Sequence, residues 1–288
     1  MKINLKIVVI FSIAAAVCLA QDVTPEAQTV TAFSPAMAPV GAAVSITGTG
    51  FVGQDIVYFN GVEAVSQTVS ATQITAIVPP HAPAGHIQIY LDTKKVAASS
   101  GTFYTIVQTW DAVTDFSDTA NPNGAWSYGY ASKLEGAFLP FTTNVTSGTT
   151  VGWNNNGSYP NYAGIAIDNT PYTLFNSNTI VIPVGVLALG IQQNAILLRW
   201  TAPAAGTYSI TGSFQGIDLH LPVVDVGIYE NGDTVLYSES LSFFGDLLNF
   251  DISTITLAAG TTIDFAGAYT STSAEDNATV TATINQIR

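Results

Sequence analysis

One stretch of the chain places three aromatic residues among amides. Trp153, Tyr159 and Tyr162 stand within ten residues of one another and are interleaved with asparagines. Sugars present apolar ring faces edged by hydroxyl groups, and aromatic side chains flanked by Asn and Asp match such a surface. The pattern predicts a glycan-binding surface formed by Trp153, Asn155, Tyr159, Tyr162 and Asp168. The alternative is that Trp153 plugs the edge of a sheet and the asparagines form turns.

The same stretch is expected at the surface of the protein. Gly157 and Pro160 interrupt any strand between the aromatic residues, and loops carry binding residues more often than the elements they connect. Stacking on a sugar contributes about 1 kcal/mol per ring beyond burial of area. A site of two rings would therefore bind weakly unless a polymer engages several sites at once.

A second group of residues has the chemistry of a calcium site. Asp118 and Asn121 stand near the start of the second half of the chain, and Asp276 stands near its end. Calcium prefers carboxylate and carbonyl oxygens, and in a β-sandwich the two ends of the chain can supply them together. These residues therefore predict a structural calcium ion, with polar turns as the alternative interpretation. No cofactor is required by any motif.

Catalytic groups are sparse. After residue 107 the sole histidine is His220, and the segment Gly212-Ser213-Phe214-Gln215-Gly216 lacks the spacing of a serine-hydrolase nucleophile elbow. Glycoside hydrolysis needs just two well-placed carboxylates, and Asp168, Asp218 and Asp225 are among the acids that could supply them. Their positions at turns and strand ends favour solvation and capping. The chain is therefore predicted not to be an enzyme, with a glycosidase as an alternative.

The charge balance limits the partners. The chain has 20 acidic residues against 7 Lys and Arg, a formal net charge of −13. Nucleic acids and anionic lipids both require a basic surface, so neither is an expected partner. The same acidic surface would repel uronate or sulfate groups, which favours neutral glycans as ligands.

Residues 1–20 have the layout of a secretory signal peptide. Lys2 and Lys6 precede an apolar run, and Ala20 precedes a plausible cleavage point. No later stretch has the roughly 18 apolar residues of a membrane helix, so no membrane span is expected after the leader is removed. Cys18 is the one cysteine and leaves with the leader. The chain is predicted to be bacterial and secreted, with the periplasm or the cell surface as alternatives.

Short alternations of apolar and polar residues, broken by Gly, Pro, Asn and Asp, continue from residue 28 onward. They predict an all-β protein. Asn60-Gly61 is typical of a two-residue hairpin turn. Trp200 and Tyr208 alternate with polar neighbours on either side of a Pro-Ala-Ala-Gly turn, which predicts a hairpin with both rings in the core.

Residues 28–107 resemble the immunoglobulin-like IPT/TIG family over the whole segment. The matching elements include Phe33-Ser34-Pro35, Pro39-Val40-Gly41, the run from Val44 to Phe51, and Val57-Tyr58-Phe59-Asn60-Gly61. The resemblance implies an immunoglobulin-like sandwich that acts as a spacer or an interaction module. It implies no catalytic residues.

Residues 108–288 resemble a jelly-roll domain of secreted bacterial proteins, similar in outline to carbohydrate-binding modules. Three blocks carry the resemblance: residues 121–130, 198–210 and 257–265. It implies a larger antiparallel β-sandwich with a glycan as ligand. The expected organisation is a signal peptide (1–20), a short linker (21–27), the IPT/TIG domain (28–107) and the jelly roll (108–288), with the short polar junction 105–109 between two independently folding domains.

Together these observations predict a secreted, non-catalytic protein that binds an extracellular or cell-surface glycan through its C-terminal sandwich. A structural or adhesive protein that binds a surface protein is the alternative from another class. An unrecognised glycoside hydrolase is the third.

Overall fold

The computed structural model describes residues 26–155, 164–168, 174–176, 179–192, 194–220, 223–269 and 276–288, without the side chains of 147, 174–176 and 276. Every regular element in these ranges is a strand, which confirms the all-β prediction. No helix among them is long and apolar enough to cross a membrane. The predicted signal peptide lies outside the described residues.

The N-terminal segment contains nine strands: β1 (Thr29–Ser34), β2 (Met37–Pro39), β3 (Ala43–Thr49), β4 (Asp55–Phe59), β5 (Val62–Ala64), β6 (Ser66–Ser70), β7 (Gln73–Ile77), β8 (Ile87–Leu91) and β9 (Lys94–Ala98). Eight of them form a sandwich of two four-stranded sheets with the orders β1-β3-β7-β6 and β5-β4-β8-β9, and β2 belongs to neither. Alternate residues of β3, such as Val44 and Ile46, are fully buried between the sheets, as the sequence pattern predicts. Asn60 and Gly61 both have positive φ and join β4 to β5, which confirms the predicted tight turn.

The C-terminal sandwich is larger. Its strands are β10 (Tyr104–Asp111), β11 (Trp126–Ala131), β12 (Leu139–Pro140), β13 (Thr143–Ser147), β14 (Thr150–Asn154), β15 (Gly164–Asp168), β16 (Leu174–Asn176), β17 (Ile180–Ile182), β18 (Leu187–Ile191), β19 (Ala195–Thr201), β20 (Gly206–Gly216), β21 (Val224–Glu230), β22 (Thr234–Leu241), β23 (Leu247–Leu257), β24 (Thr262–Tyr269) and β25 (Asp276–Ile287).

Strand β25 organises the first sheet of this sandwich. One of its edges pairs with β20, which pairs in turn with β23. Its other edge pairs with β18 along its first half and with β10 along its second half, and β18 leads on to β15, β14 and β13. The second sheet has the order β12-β11-β19-β24-β21-β22. The core between the sheets contains all four tryptophans of the chain.

The junction between the sandwiches is a strand rather than the short polar connection expected from the sequence. The first residues of β10 pair in parallel with β2 of the N-terminal sandwich, and its later residues pair with β25. Ile106 takes part in both ladders, and Thr105 exchanges two backbone hydrogen bonds with Arg288. Two separate apolar cores lie on either side of this shared strand.

The predicted hairpin at Pro203 does not form. Strand β19 lies in the second sheet and β20 in the first, so the turn between them crosses from one sheet to the other. Trp200 and Tyr208 are both fully buried, as predicted, because their rings meet across the sandwich at 5.2 Å. The alternation of apolar residues identified the inward faces of both strands correctly, but it carries no information on which strand each one pairs with.

A third layer covers part of the second sheet. Residues 132–138, which we call the strap, cross its outer face and pack Leu134 and Phe138 against a small apolar cluster. This cover explains why β19 is buried on both faces from Ala195 to Leu198.

Candidate functional site

The segment between β10 and β11, residues 112–125, lies against the sandwich and forms a cleft of about 460 Å³, which we call the β10–β11 cleft. Strand β10 supplies Gln108, Thr109 and Trp110 to its lining. The remaining lining residues are Thr114, Asp115, Phe116 and the run 123–126.

Asp111 anchors the start of this segment. Its Oδ1 accepts hydrogen bonds from the backbone amides of Val113 (3.1 Å) and Thr114 (2.9 Å), and its Oδ2 accepts one from the Thr283 hydroxyl on β25 (3.0 Å). A carboxylate that accepts bonds from successive amides fixes a tight turn. The wall of the cleft is therefore tied to the sheet beside it.

Asp115 carries the polar chemistry of the cleft. Its Oδ2 accepts hydrogen bonds from the Asp111 amide (2.9 Å) and from Nε1 of Trp126 (3.2 Å), while its backbone carbonyl accepts one from the Asn123 side chain (2.9 Å). Within the part of the chain that the structure describes, Oδ1 has no hydrogen-bonding partner. The carboxylate is thus held in one orientation with one oxygen available on the cleft wall.

Aromatic side chains form the base of the cleft. Trp110 is 8% exposed and contacts Trp200, with their ring centroids 5.3 Å apart. Phe116 is half-buried and packs at 4.9 Å on the ring of Tyr128, whose hydroxyl accepts a hydrogen bond from the Ser117 amide. Burial raises the pKa of Tyr128 to about 12, so this phenol stays neutral. The cleft therefore offers aromatic edges below a polar rim.

Trp153 does not form the surface plate that the sequence suggested. It is 7% exposed and belongs to the main core, where it stacks on Tyr128, and its Nε1 donates a 2.6 Å hydrogen bond to the Ser117 carbonyl. The surface prediction is wrong for this residue, and the alternative, a ring that plugs the sandwich, is correct. The physical reason is that residues 112–125 cover this side of the sheet, which the local sequence could not indicate.

The other predicted glycan residues are not brought together by the described structure. Asn155 is exposed after the end of β14, whereas Asp168 is buried at the opposite end of β15, where it pairs with Thr150. Gly164 and Asp168 bound β15, so about 14 Å of strand separates the two ends. Tyr159 and Tyr162 lie outside the described residues. One site containing both Asn155 and Asp168 is therefore not supported.

The predicted calcium ligands are described only in part, so the calcium site stays a prediction. Asn121 uses its side chain to close the cleft segment: its Nδ2 donates to the carbonyls of Tyr128 and Phe141, and its Oδ1 accepts from the Tyr128 amide. Asp118 is half-buried in the same segment. The backbone of Asp276 pairs with Ile191 on β18, and its side chain lies outside the described residues. Among the described residues, no three His, Cys, Asp or Glu side chains form a group suited to a metal ion.

Sequence reasoning overlooked Asp115 and the residues around it. The signal lay in the spacing of two carboxylates, since Asp111 and Asp115 flank a turn directly after the aromatic Trp110. Such a pattern is also typical of an ordinary capped turn. The Trp126 indole, eleven residues further along the chain, binds Asp115 and makes this turn one wall of the cleft.

Comparison with known families supports the N-terminal assignment. The model of the IPT/TIG domain matches residues 29–106, which confirms the resemblance seen in the sequence and agrees with the immunoglobulin-like sandwich of β1–β9. No curated protein matches the chain.

Several solved structures are similar to this chain at low identity. SGBP-B from a complex xyloglucan utilization locus in Bacteroides uniformis is 10% identical, with 91% of this chain and 72% of that chain covered and a TM-score of 0.33. An auxiliary nutrient binding protein from Bacteroides thetaiotaomicron is 9% identical, with 62% and 55% covered and a TM-score of 0.27. The CBM36-1 domain of a xylanase from the hindgut metagenome of Trinervitermes trinervoides is 14% identical, with 41% and 88% covered and a TM-score of 0.26. These likenesses assign no ligand to this chain.

Proposed function

We propose that this chain is an exported, non-catalytic protein that binds a neutral glycan in the β10–β11 cleft, with the IPT/TIG sandwich as its spacer. The observation that carries the proposal is the fixed orientation of the Asp115 carboxylate. One of its oxygens is fixed by the Trp126 indole and a backbone amide, and the other is available above an aromatic base. Oriented acceptors beside aromatic rings are the groups that hold sugar hydroxyls and sugar faces.

The charge of the second half of the chain favours neutral over anionic glycans. The segment after residue 107 contains 15 acidic residues and three basic ones, Lys133, Arg199 and Arg288. Arg199 is paired with Asp264. Asp111 and Asp115 add negative charge at the cleft itself. A uronate or sulfate group would therefore be repelled on approach.

The affinity of one such cleft for a short glycan should be modest. Trp110 and Trp126 are almost completely buried, so they offer ring edges rather than open faces, and stacking contributes about 1 kcal/mol per ring at most. We expect dissociation constants between micromolar and millimolar, which correspond to binding free energies of about −8 to −4 kcal/mol.

Affinity electrophoresis and calorimetry with neutral and acidic polysaccharides test the proposal. Gln108→Ala removes an exposed side chain from the rim, and Asp115→Asn keeps the shape of the side chain but replaces the available acceptor; both should weaken binding at least tenfold. Asp251→Asn, an exposed charge change on β23, is the matched control and should bind like the wild type. Equal binding by all four proteins would reject the cleft, and preference for acidic polymers would reject the electrostatic argument. Release of reducing sugar from any polymer would favour the glycosidase alternative.

A second candidate function is adhesion to a protein, and one surface favours it. Phe243, Phe244 and Leu247, at the connection of β22 and β23, are 61%, 42% and 51% exposed. Exposed apolar side chains that lie together at a surface are typical of sites that contact another protein. If adhesion is the function, Phe243→Ser with Phe244→Ser should abolish attachment of the purified chain to glycan-stripped cell surfaces, while Gln108→Ala should leave attachment unchanged.

A further inference from the structure

A recess of about 360 Å³ lies on the outer face of the second sheet, beside the strap, and we call it the strap recess. Strap residues 132–135 form one wall. The sheet contributes Ala195, Asp225, Ala268 and Tyr269. None of these residues takes part in the β10–β11 cleft.

Small residues on the sheet create the space. Ala195 and Ala268 are buried at the floor, and a Cβ on the neighbouring Gly227 would lie 2.6 Å from the hydroxyl of Tyr229, too close for any side chain. A sheet face made of alanine and glycine leaves a depression wherever the covering segment does not reach. The recess is therefore built by the sequence of the sheet rather than by a movable loop.

The strap is held firmly over this floor. Phe138 at one end of the strap lies beneath the guanidinium of Arg199, with 4.2 Å between Cζ and the ring centroid. Arg199 in turn makes two hydrogen bonds to the fully buried carboxylate of Asp264, at 2.6 and 2.7 Å. Because Arg199 is held by this bidentate pair and stacks on Phe138, it fixes the position of the strap, so the recess exists before any ligand arrives.

Polar groups of both signs line the recess. Asp225 accepts a 2.6 Å hydrogen bond from the Ser240 hydroxyl through Oδ1, which orients its carboxylate. Glu135 and Lys133 project from the strap as exposed side chains. Burial raises the pKa of the adjacent Tyr229, and the charges of Glu135 and Asp225 raise it further, so both carboxylates act on the same small volume.

This combination fits one kind of ligand better than others. A simple anion would meet two carboxylates, and a simple cation would meet the ammonium group of Lys133. A sugar ring is neutral, and its hydroxyl groups donate to carboxylates and accept from an ammonium group. Its apolar face can pack against the ring of Tyr269, which is 37% exposed.

We propose that the strap recess is a second glycan subsite, which binds a single neutral sugar residue of the same polymer; this inference rests on the proposed function. Strand β11 connects the two sites, because Trp126 at its start lines the cleft and Ser132, just after its end, lines the recess. Six strand residues span about 20 Å. A polysaccharide that bridges this distance would engage both sites, and avidity would then raise its affinity roughly 10²-fold above that of a short oligosaccharide.

The experiment uses the full chain, with cello-, manno- and xylo-oligosaccharides and their parent polysaccharides as probes in titration calorimetry. Asp225→Asn and Glu135→Gln remove the charge of the recess with little change of shape, and Ala268→Phe fills it. Gln108→Ala provides the matched change in the cleft. Near-ultraviolet circular dichroism checks that each variant is folded, and the two isosteric variants decide the result if Ala268→Phe is not.

We expect two oligosaccharide sites in the wild type and one remaining site in the recess variants or in the cleft variant. The recess variants should also lose roughly 10²-fold in affinity for the polymer. If the recess variants keep the wild-type stoichiometry and bind the polymer within twofold of the wild type, the second subsite is rejected while the proposed function stands. If the recess variants alone abolish binding, the recess is the glycan site and the cleft is not. If no neutral glycan binds to the wild type, the proposed function and the second subsite both fail.

Discussion

The two sandwiches of this chain use the same architecture and differ in what covers it. The N-terminal sandwich buries one apolar core between two four-stranded sheets and carries little net charge, with three acidic residues against two lysines between residues 28 and 107. The C-terminal sandwich adds the cleft segment 112–125 and the strap, and it holds most of the negative charge. The β10–β11 cleft and the strap recess are each lined in part by one of these two additions. In this molecule the two sheets enclose the core, and the segments laid over them shape the recesses at its surface.

Intrinsic fluorescence can separate the two regions. All four tryptophans follow residue 107, so their emission reports on the C-terminal sandwich alone. Circular dichroism reports on the strands of both sandwiches. A variant that weakens one region selectively will therefore separate the two signals during denaturation.

The largest effect is expected from Arg199→Leu. This change leaves the carboxylate of Asp264 buried without its cation and removes the contact with Phe138, and broken buried pairs cost about 3–5 kcal/mol. Urea denaturation followed by fluorescence should show the loss. The double variant Arg199→Leu with Asp264→Leu should recover most of it, and a cost below about 1 kcal/mol in the single variant would show that the strap layer contributes little.

Trp153→Ala should destabilise the C-terminal sandwich by about 3–5 kcal/mol, because the ring fills the core beside Tyr128. Trp153→Phe keeps an aromatic ring and loses the hydrogen bond to the Ser117 carbonyl, at a cost of about 1 kcal/mol or more. A Trp153→Ala protein as stable as the wild type would show that the ring does not contribute to the core.

Alkaline pH should weaken the C-terminal sandwich through Tyr128. Its folded-state pKa of about 12 lies above the ordinary value of 10.0, so the unfolded chain loses this proton first as the pH rises. The stabilisation is complete below pH 10 and is lost as the pH rises through the folded value near 12. Tyr128→Phe should reduce the slope of unfolding free energy against pH in this window. An unchanged slope would show that the phenol is not protected by burial.

The smallest effect concerns the strand that the two sandwiches share. Thr105 is fully buried, and its hydroxyl has no hydrogen-bonding partner among the described residues. Thr105→Val keeps the shape and removes the unpaired polar group, so it should stabilise the protein by about 1 kcal/mol. Because β10 pairs with both sandwiches, the fluorescence and dichroism transitions should shift together. A shift in one signal alone would show that the junction belongs to a single sandwich.

Local patterns in the sequence predicted local structure well. Asn60-Gly61 forms a hairpin turn as expected, because a positive φ at Asn and Gly is a property of the turn residues themselves. Trp200 and Tyr208 are buried as expected, because alternation along a strand defines its inward face. The resemblance of the N-terminal segment to the IPT/TIG family is confirmed, because the motifs of this family follow one another along a single stretch of sequence.

The arrangement of one segment against another was decided by the tertiary structure. The crossing from β19 to β20, the burial of Trp153 beneath the cleft segment and the parallel pairing of β10 with β2 all join residues that are distant or ambiguous in sequence. The orientation of Asp115 depends on the Trp126 indole for the same reason. The sequence by itself determined the strands, their inward faces and the acidic charge balance, because each of these is a property of neighbouring residues or of the composition. Only the tertiary structure decided which rings are buried and where recesses form, because those properties depend on what covers each surface.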